Sequence, residues 1–433
     1  MTTSAFVAET AALAPELSAL RRDFHRHAEA GWTEMRTASM IARRLDDLGY
    51  EVLAGRAVCD ADSRMGVPSA EELEAHYQRA KTEGADPEYL ELVRNGFTGV
   101  IGILRGAEDG PTVAMRFDID ALGVAESADG AHFPAREGFA SIHPGVMHAC
   151  GHDGHAAIGL GTAEILARHR GEIRGTVKLI FQPAEEGVRG ARSIVEAGHL
   201  DDADILLGSH IVDLPEGEQY DIIPGSGGSL ATTKLDAIFT GKASHAGGSP
   251  EQGVNAMLAM ATAILNLQAI PRHSGGATRI NVGRAEAGTG RNVIPDRAML
   301  QLEIRGETTE LNEYMENYAC RILSAAADMH GCGLEVRMVG AAPSLESSPE
   351  LMEKVQALAP KCGLKPAPFL RAQAGGSEDF SYMMNRVQER GSQATFLRLA
   401  APAAGPAHSP DFDFDERVLV SGVRAFAGFM LMG

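Results

Sequence analysis

The chain has 433 residues, 44% hydrophobic and 22% charged, ample apolar material for a globular fold and more than one core of ordinary size holds. Lysine and arginine number 39 against 58 aspartates and glutamates, and the formal net charge of −19 disfavours nucleic acid and anionic membrane surfaces as partners. Five cysteines (Cys59, Cys150, Cys320, Cys332 and Cys362) are odd in number and scattered, which argues against a disulfide framework and for a reducing compartment, the cytoplasm by default.

From Met1 to Leu20 there is no basic leader, and Glu9 and Glu16 interrupt the apolar residues, so the segment reads as part of the fold and not as a signal peptide. No stretch approaches the roughly 18 apolar residues of a membrane span. Residues 9–49 carry Leu13, Leu17, Leu20 and Phe24, then Ile41, Leu45 and Leu48, at helical spacing, and Gly49 ends that stretch. The texture then turns polar and charged from about Ala57 to Gly96. Ser69 followed by Glu72 is a capping-box pattern, and Asp86-Pro87 is an N-cap with proline at N1. Two short exposed helices are expected there, in an insertion carried on the outside of a domain.

Strand-like runs follow at Gly99–Leu104 and Thr112–Phe117, as a hairpin or as neighbours. A helix is expected over Gly154–Arg168, a buried strand over Thr176–Phe181, a helix over Ala191–Ala197 and a strand over Asp204–Leu207. That alternation predicts an α/β domain with a largely parallel sheet covered on both faces. Beyond the glycine-rich Pro224–Gly228 the order becomes βαββαβ, with strands at Thr232–Thr240, Thr278–Val282, Ala298–Arg305 and Gly333–Met338. The intervening helices are Gly253–Gln268 and Asn312–Met329, and the stretch Met257–Leu267 is expected to face a core. This is the ferredoxin-like split arrangement. The expected organisation is therefore a first domain of residues 1–228 and 341–433, carrying the helical insertion at about 57–97, and an inserted α+β domain of residues 229–340.

The densest chemistry lies in Met147-His148-Ala149-Cys150-Gly151-His152-Asp153-Gly154-His155, directly before a helix. A thiolate and an imidazole two residues apart can reach one metal centre, and zinc accepts both. The plain reading is a polar helix start, with Asp153 favoured there by the helix dipole. A second group is Phe181-Gln182-Pro183-Ala184-Glu185-Glu186-Gly187, just past a buried strand, where α/β domains build their sites. Neighbouring carboxylates in an extended loop point apart, so one can hold metal while the other faces water. His210, after the strand ending at Leu207, and His408, in Ala407-His408-Ser409-Pro410, each have a bland structural reading alone. Together these residues recur at strand ends and loops of one expected sheet, which is the pattern of a site.

The segments Arg22–Trp32, Met115–Leu122, Met147–Asp153, Gln182–Gly187, Gly376–Phe380 and Ala407–Pro410 resemble, in order and over nearly the whole chain, the aminoacylase, hippurate hydrolase and auxin-conjugate hydrolase group of dinuclear metallopeptidases. The resemblance implies that Cys150, His152, Glu186, His210 and His408 bind two divalent metal ions, manganese or zinc, and that Glu185 is the general base. Two ions about 3.5–4 Å apart acidify a shared water and hold it beside a carbonyl. Glu185 would take its proton and pass it to the leaving amine. Asp120 is a candidate to orient an imidazole, beside its plain reading as a turn aspartate.

In the inserted domain, the resemblance gives His245 the task of stabilising the oxyanion in a partner chain's site, which makes that domain a lid and a dimerisation surface. Asn292 and Arg305 match positions that hold the substrate's carboxylate or carbonyl. Ser63-Arg64-Met65-Gly66, Arg291–Pro295 and Phe412–Glu416 narrow the resemblance to members acting on an aromatic acyl-glutamate such as p-aminobenzoyl-glutamate. An aromatic acetyl-aspartate conjugate is the alternative substrate. A further alternative is a metal-binding partner subunit with little activity alone, since the expected assembly is a homodimer or a heterodimer with a related subunit.

Overall fold

The computed structural model describes residues 1–373 and 376–433, and their contacts divide into two compact units. The first comprises Met1–Gly227, Glu346–Gln373 and Asp379–Gly433, and the second Gly228–Leu345 with residues 376–378.

The first unit is built on a mixed seven-stranded sheet flanked by helices. Its order across the sheet is Glu51–Ala54, Val100–Arg105, Arg174–Gln182, Glu108–Asp118, Ile205–Asp213, Gln393–Ala401 and Ile222–Ile223. The four middle strands run parallel, and the outer pairings on both sides are antiparallel. The middle strands are buried on both faces, and their side chains accordingly read as apolar runs such as Val177, Leu179, Ile180 and Phe181. Two expectations are corrected here. Val100–Arg105 and Glu108–Asp118 do not form a hairpin, because Arg174–Gln182 lies between them and pairs with both. The strand expected to stop at Leu207 runs on to Asp213, so His210 lies within it.

The stretch expected as helix over residues 9–49 is three helices, Thr3–Ala12, Ala14–Arg26 and Met35–Asp47. Pro15 lies in the first turn of the second, where a missing N–H costs nothing, and apolar periodicity continues across each break, so the pattern alone does not reveal them. In the insertion, Ser69 and Glu72 close a reciprocal capping box on Ala70–Thr82, and Asp86 caps Pro87–Leu92. These helices are less exposed than their composition suggests, for Leu73, Tyr77, Ala80, Tyr89 and Leu90 join the main core.

Helix His152–Arg168 is central to that core and buried on nearly every side. Its small residues permit this: a Cβ on Gly159 would lie 2.5 Å from the Phe181 ring, and one on Gly161 2.5 Å from Leu17. The helix start is thereby pressed against the carboxyl ends of the parallel strands.

The second unit has a four-stranded antiparallel sheet in the order Gly333–Ala342, Ala231–Thr240, Arg297–Gly306, Thr278–Ala287. Along Arg297–Gly306 burial alternates strictly, and the buried set packs on Ala256–Gln268 and Thr309–His330. Helix Ala256–Gln268 buries Ala256, Ala259, Ala263 and Leu267, yet Leu258 and Leu265 on its other side are 52% and 74% exposed. The expectation that this apolar stretch faces a core holds for one stripe only. No helix among the described residues is long and apolar enough to cross a membrane.

Candidate metal centre

Four neighbouring segments of the first unit converge on one spot. The loop ending at Gly151, which takes φ 91° to start the helix, delivers Cys150 and His152, and the strand Ile205–Asp213 delivers His210. The loop after Arg174–Gln182 delivers Glu185 and Glu186. The loop before Asp413–Phe414 brings His408, whose amide donates to the Ala149 carbonyl at 2.8 Å. Ligand-type atoms of Cys150, His152 and His210 lie within 4.8 Å of one another, as do those of Cys150, Glu186 and His408, and those of His152, Glu185 and Glu186. These overlapping groups unite Cys150, His152, Glu185, Glu186, His210 and His408. All of them except His408 are largely shielded from solvent.

The imidazoles of His152 and His210 are turned alike. His152 donates through Nδ1 to the Asp120 carbonyl at 3.0 Å, and His210 through Nδ1 to the Ile211 carbonyl at 2.6 Å. A ring whose Nδ1 carries the proton presents a lone pair at Nε2, the usual ligand form. His152 Nε2 is buried without a hydrogen-bond partner, and so is Glu186 Oε1, which stands 3.4 Å from His408 Nε2. His210 Nε2 lies 3.3 Å from Cys150 Sγ. Unpartnered buried polar atoms are costly in an apolar setting, and a metal cation placed among them, in place of a proton on His152, removes the cost.

The electrostatics agree. Burial opposes a charge on His152, but Asp118 and Asp120 override it and hold its pKa well above the ordinary value. The same field stabilises a divalent cation. Burial keeps His210 neutral, with its pKa well below the usual value, and pushes the Cys150 thiol up to about 12, so that only a strong local positive charge makes a thiolate of it. Thiol, imidazoles and carboxylates together suit zinc and manganese.

Behind these groups stands a buried support of which only Asp120 was a candidate from the sequence. The Asp120 carboxylate accepts the amides of Glu185 (3.0 Å) and Glu186 (2.9 Å), while its carbonyl takes His152. Glu34 accepts the Ala184 amide at 2.8 Å and the Thr98 hydroxyl at 2.7 Å. Asp379 accepts the amides of Gly190 and Ala191, each at 2.9 Å, and the side-chain amide of Gln182 at 2.8 Å. Three carboxylates from distant parts of the chain thus hold the segment 182–191. Arg116 ties Gln182 and Asp118 together through bonds of 2.8 and 2.6 Å, and Asp118 receives His155, whose Nε2 accepts the Ile211 amide at 2.9 Å. The spacing of Asp118 and Asp120 in Arg116-Phe117-Asp118-Ile119-Asp120 was the available signal, since alternate residues share a side. Of the three histidines in the Met147–His155 cluster, His152 points to the centre, His155 binds Asp118, and His148 is buried and kept neutral, its pKa pushed down to about 4.

The remaining expected residues belong to the second unit. His245 is exposed, and its Nδ1 accepts the amides of Gly247 (3.1 Å) and Gly248 (2.9 Å). Asn292 is exposed beside it, its carbonyl taking the Ala246 amide at 3.0 Å. Arg305, on the strand Arg297–Gly306, donates to Glu303 at 2.9 Å.

A buried thiol, inward-facing imidazoles and a pair of adjacent glutamates form a donor set that can hold divalent metal ions. The chain belongs to the peptidase family M20/M25/M40, whose model matches residues 114–432. It is 46% identical over 417 residues to an indole-3-acetyl-aspartic acid hydrolase of Enterobacter agglomerans, with 96% of this chain and 95% of that protein covered. It is 45% identical over 417 residues to a p-aminobenzoyl-glutamate hydrolase subunit of Escherichia coli, with 96% and 95% covered again. Among solved structures, an aminobenzoyl-glutamate utilization protein from Klebsiella pneumoniae superposes with a TM-score of 0.82 at 40% identity, covering 98% of this chain and 97% of that one. A Bacillus subtilis protein described as a dinuclear metal-binding peptidase of the M20 family gives 0.65 at 27%, covering 97% and 98%. The chain is an amidohydrolase of this family.

Proposed function

We propose that this protein hydrolyses the amide bond of an aromatic acyl-glutamate such as p-aminobenzoyl-glutamate. Glu185 would be the general base, and Cys150, His152, Glu186, His210 and His408 the ligands of two divalent ions. The observation that carries the reading is the placement of Glu185: buried, its amide fixed by Asp120, and grouped with His152 and Glu186. When bound, such ions polarise a substrate carbonyl and acidify water. Glu185 then accepts a proton from the attacking water and delivers it to the leaving nitrogen, so that the amine departs neutral. Asp120 holds the backbone amides of both glutamates, which fixes the loop that presents them. Zinc or manganese satisfies the donor set.

The second unit serves in this reading as lid and dimerisation surface. His245 of one chain would donate to the oxyanion formed in another, and Asn292 and Arg305 would hold the substrate's carboxylate or carbonyl. The exposed Leu258 and Leu265 support association through helix Ala256–Gln268. The other half of that contact is either a second copy or a related chain, since the Escherichia coli relative is itself named as one part of a hydrolase. The Enterobacter relative favours an aromatic acetyl-aspartate as a second substrate reading, and both substrates release an acidic amino acid.

The test is product analysis. Purified protein loaded with zinc or with manganese is incubated with N-acyl glutamates and aspartates, and the released amino acid is measured. Preferred release of glutamate from aromatic acyl-glutamates is expected. Release of aspartate alone selects the second reading, and cleavage of none of them by fully metallated protein leaves a metal-binding partner subunit.

A further inference from the structure

A cavity of about 450 Å³ opens beside the centre within the first unit, and Cys150 and His210 form part of its wall. Arg398 lines the same cavity. It sits on Gln393–Ala401, directly across from His210 in the parallel pairing of that strand with Ile205–Asp213. Partners at one register position in a sheet present their side chains to one face, about 4.8 Å apart along the hydrogen-bonding direction. Arg398 therefore stands one strand away from a candidate ligand. Its Nε donates to Ser226 Oγ at 2.8 Å, Ser226 in turn donates to the Phe396 carbonyl, and the guanidinium lies over the Phe396 ring with 4.6 Å to the centroid. These contacts fix the plane of the guanidinium before any ligand arrives. The carboxylate that also lines the cavity, Asp213, accepts the Ala403 amide at 3.1 Å at the far end of its strand. Phe412 and Ala407 supply apolar wall.

We infer that Arg398 determines specificity by binding the side-chain carboxylate of the acidic amino acid that is released. This rests on the acyl-glutamate reading, and it adds a residue that no motif singled out. The physical reason is the match between a planar, pre-oriented guanidinium and a carboxylate, in a cavity shared with the scissile-bond machinery. A neutral side chain of the same shape forfeits the ion pair and leaves the guanidinium partly desolvated.

The experiment compares wild type, Arg398→Met and Arg398→Lys, each loaded with zinc and checked for metal content and thermal midpoint. Glutamate and glutamine are titrated into each by calorimetry, and hydrolysis of one aromatic acyl-glutamate and its acyl-glutamine analogue is followed in parallel. Wild type is expected to prefer glutamate over glutamine by about 10- to 100-fold in binding. Arg398→Met should bind the two alike, and Arg398→Lys should recover part of the preference. A preference that survives in Arg398→Met, or that is missing in wild type, overturns the inference. Hydrolysis separates the two levels. If wild type cleaves acyl-glutamate and Arg398→Met keeps the preference, the function stands and the role of Arg398 falls. If the binding preference depends on Arg398 while wild type cleaves no acyl-glutamate, the role stands and the function falls.

Discussion

Glu185 and Glu186 are adjacent and chemically identical, yet their surroundings separate them. Glu186 has an orphaned buried oxygen facing His408, whereas Glu185 is the more buried of the two. Glu185→Gln is expected to leave metal content unchanged by elemental analysis while kcat falls about 10²- to 10⁴-fold, and retained activity would remove it as base. Glu34 yields a pH prediction. Burial, then the charge of Asp120, raises its pKa from the ordinary 4.5 to about 8. The folded state therefore holds this proton over a range where the unfolded chain has lost it. The resulting stabilisation is complete below about pH 4.5 and is lost as pH rises through about 8, at no more than about 1.4 kcal/mol per pH unit. Urea unfolding between pH 5 and 9 should show this decline, and Glu34→Gln should flatten it. The candidate ligands were legible in the sequence because cysteine, histidine and paired glutamates are conspicuous near strand ends. Glu34 and Asp379 were not, since a carboxylate that binds backbone amides looks like any other carboxylate until the chain is folded.

At the scale of elements, the site depends on how the segment 182–191 is anchored. Asp379 caps the start of helix Ala191–Glu196 and receives Gln182 and Arg116 at once. Asp379→Ala leaves two buried amides and a buried guanidinium short of a partner, and should cost about 3 kcal/mol or more in unfolding free energy from urea titration. Gly190 is required beside it, because a Cβ there would lie 1.7 Å from the Pro183 carbonyl oxygen. Element types were largely readable from periodicity and caps: the capping box at Ser69 and the N-cap at Asp86 both formed as expected. Strand neighbours were less readable. Glu108–Asp118 follows Val100–Arg105 closely in sequence, but pairing is decided by burial in a parallel sheet, and a strand from some sixty residues later fits between them. The breaks at Leu13 and between Arg26 and Met35 were hidden for a related reason, since successive helices can share one apolar stripe against one core.

For the whole molecule, the βαββαβ order of the second unit was visible because Arg297–Gly306 alternates strictly and helix Thr309–His330 is long. Assembly belongs to this scale too. If His245 completes a neighbour's site, a mixed dimer of Glu185→Gln and His245→Ala chains contains one intact site, made of the unaltered Glu185 of one chain and the unaltered His245 of the other. Mixing the two inactive proteins under exchange conditions should then restore a fraction of wild-type turnover, read in the same amino-acid release assay. No recovery, with mixed dimers verified by mass, would count against a contribution across chains.

The loop that carries the two glutamates is bracketed by Ala184 at φ 52° and Val188 at φ 61°, left-handed conformations that residues with a Cβ rarely adopt. Each costs about 1–2 kcal/mol, and the anchoring amides described above keep the chain there. This has a bearing on engineering. A glycine at 184 would relieve the strain and lengthen shelf life, yet it would also let the glutamates wander from their working position. Selection for heat resistance and selection for turnover should therefore pull residue 184 in opposite directions, so a catalyst improved by directed evolution should keep its alanine and gain robustness elsewhere.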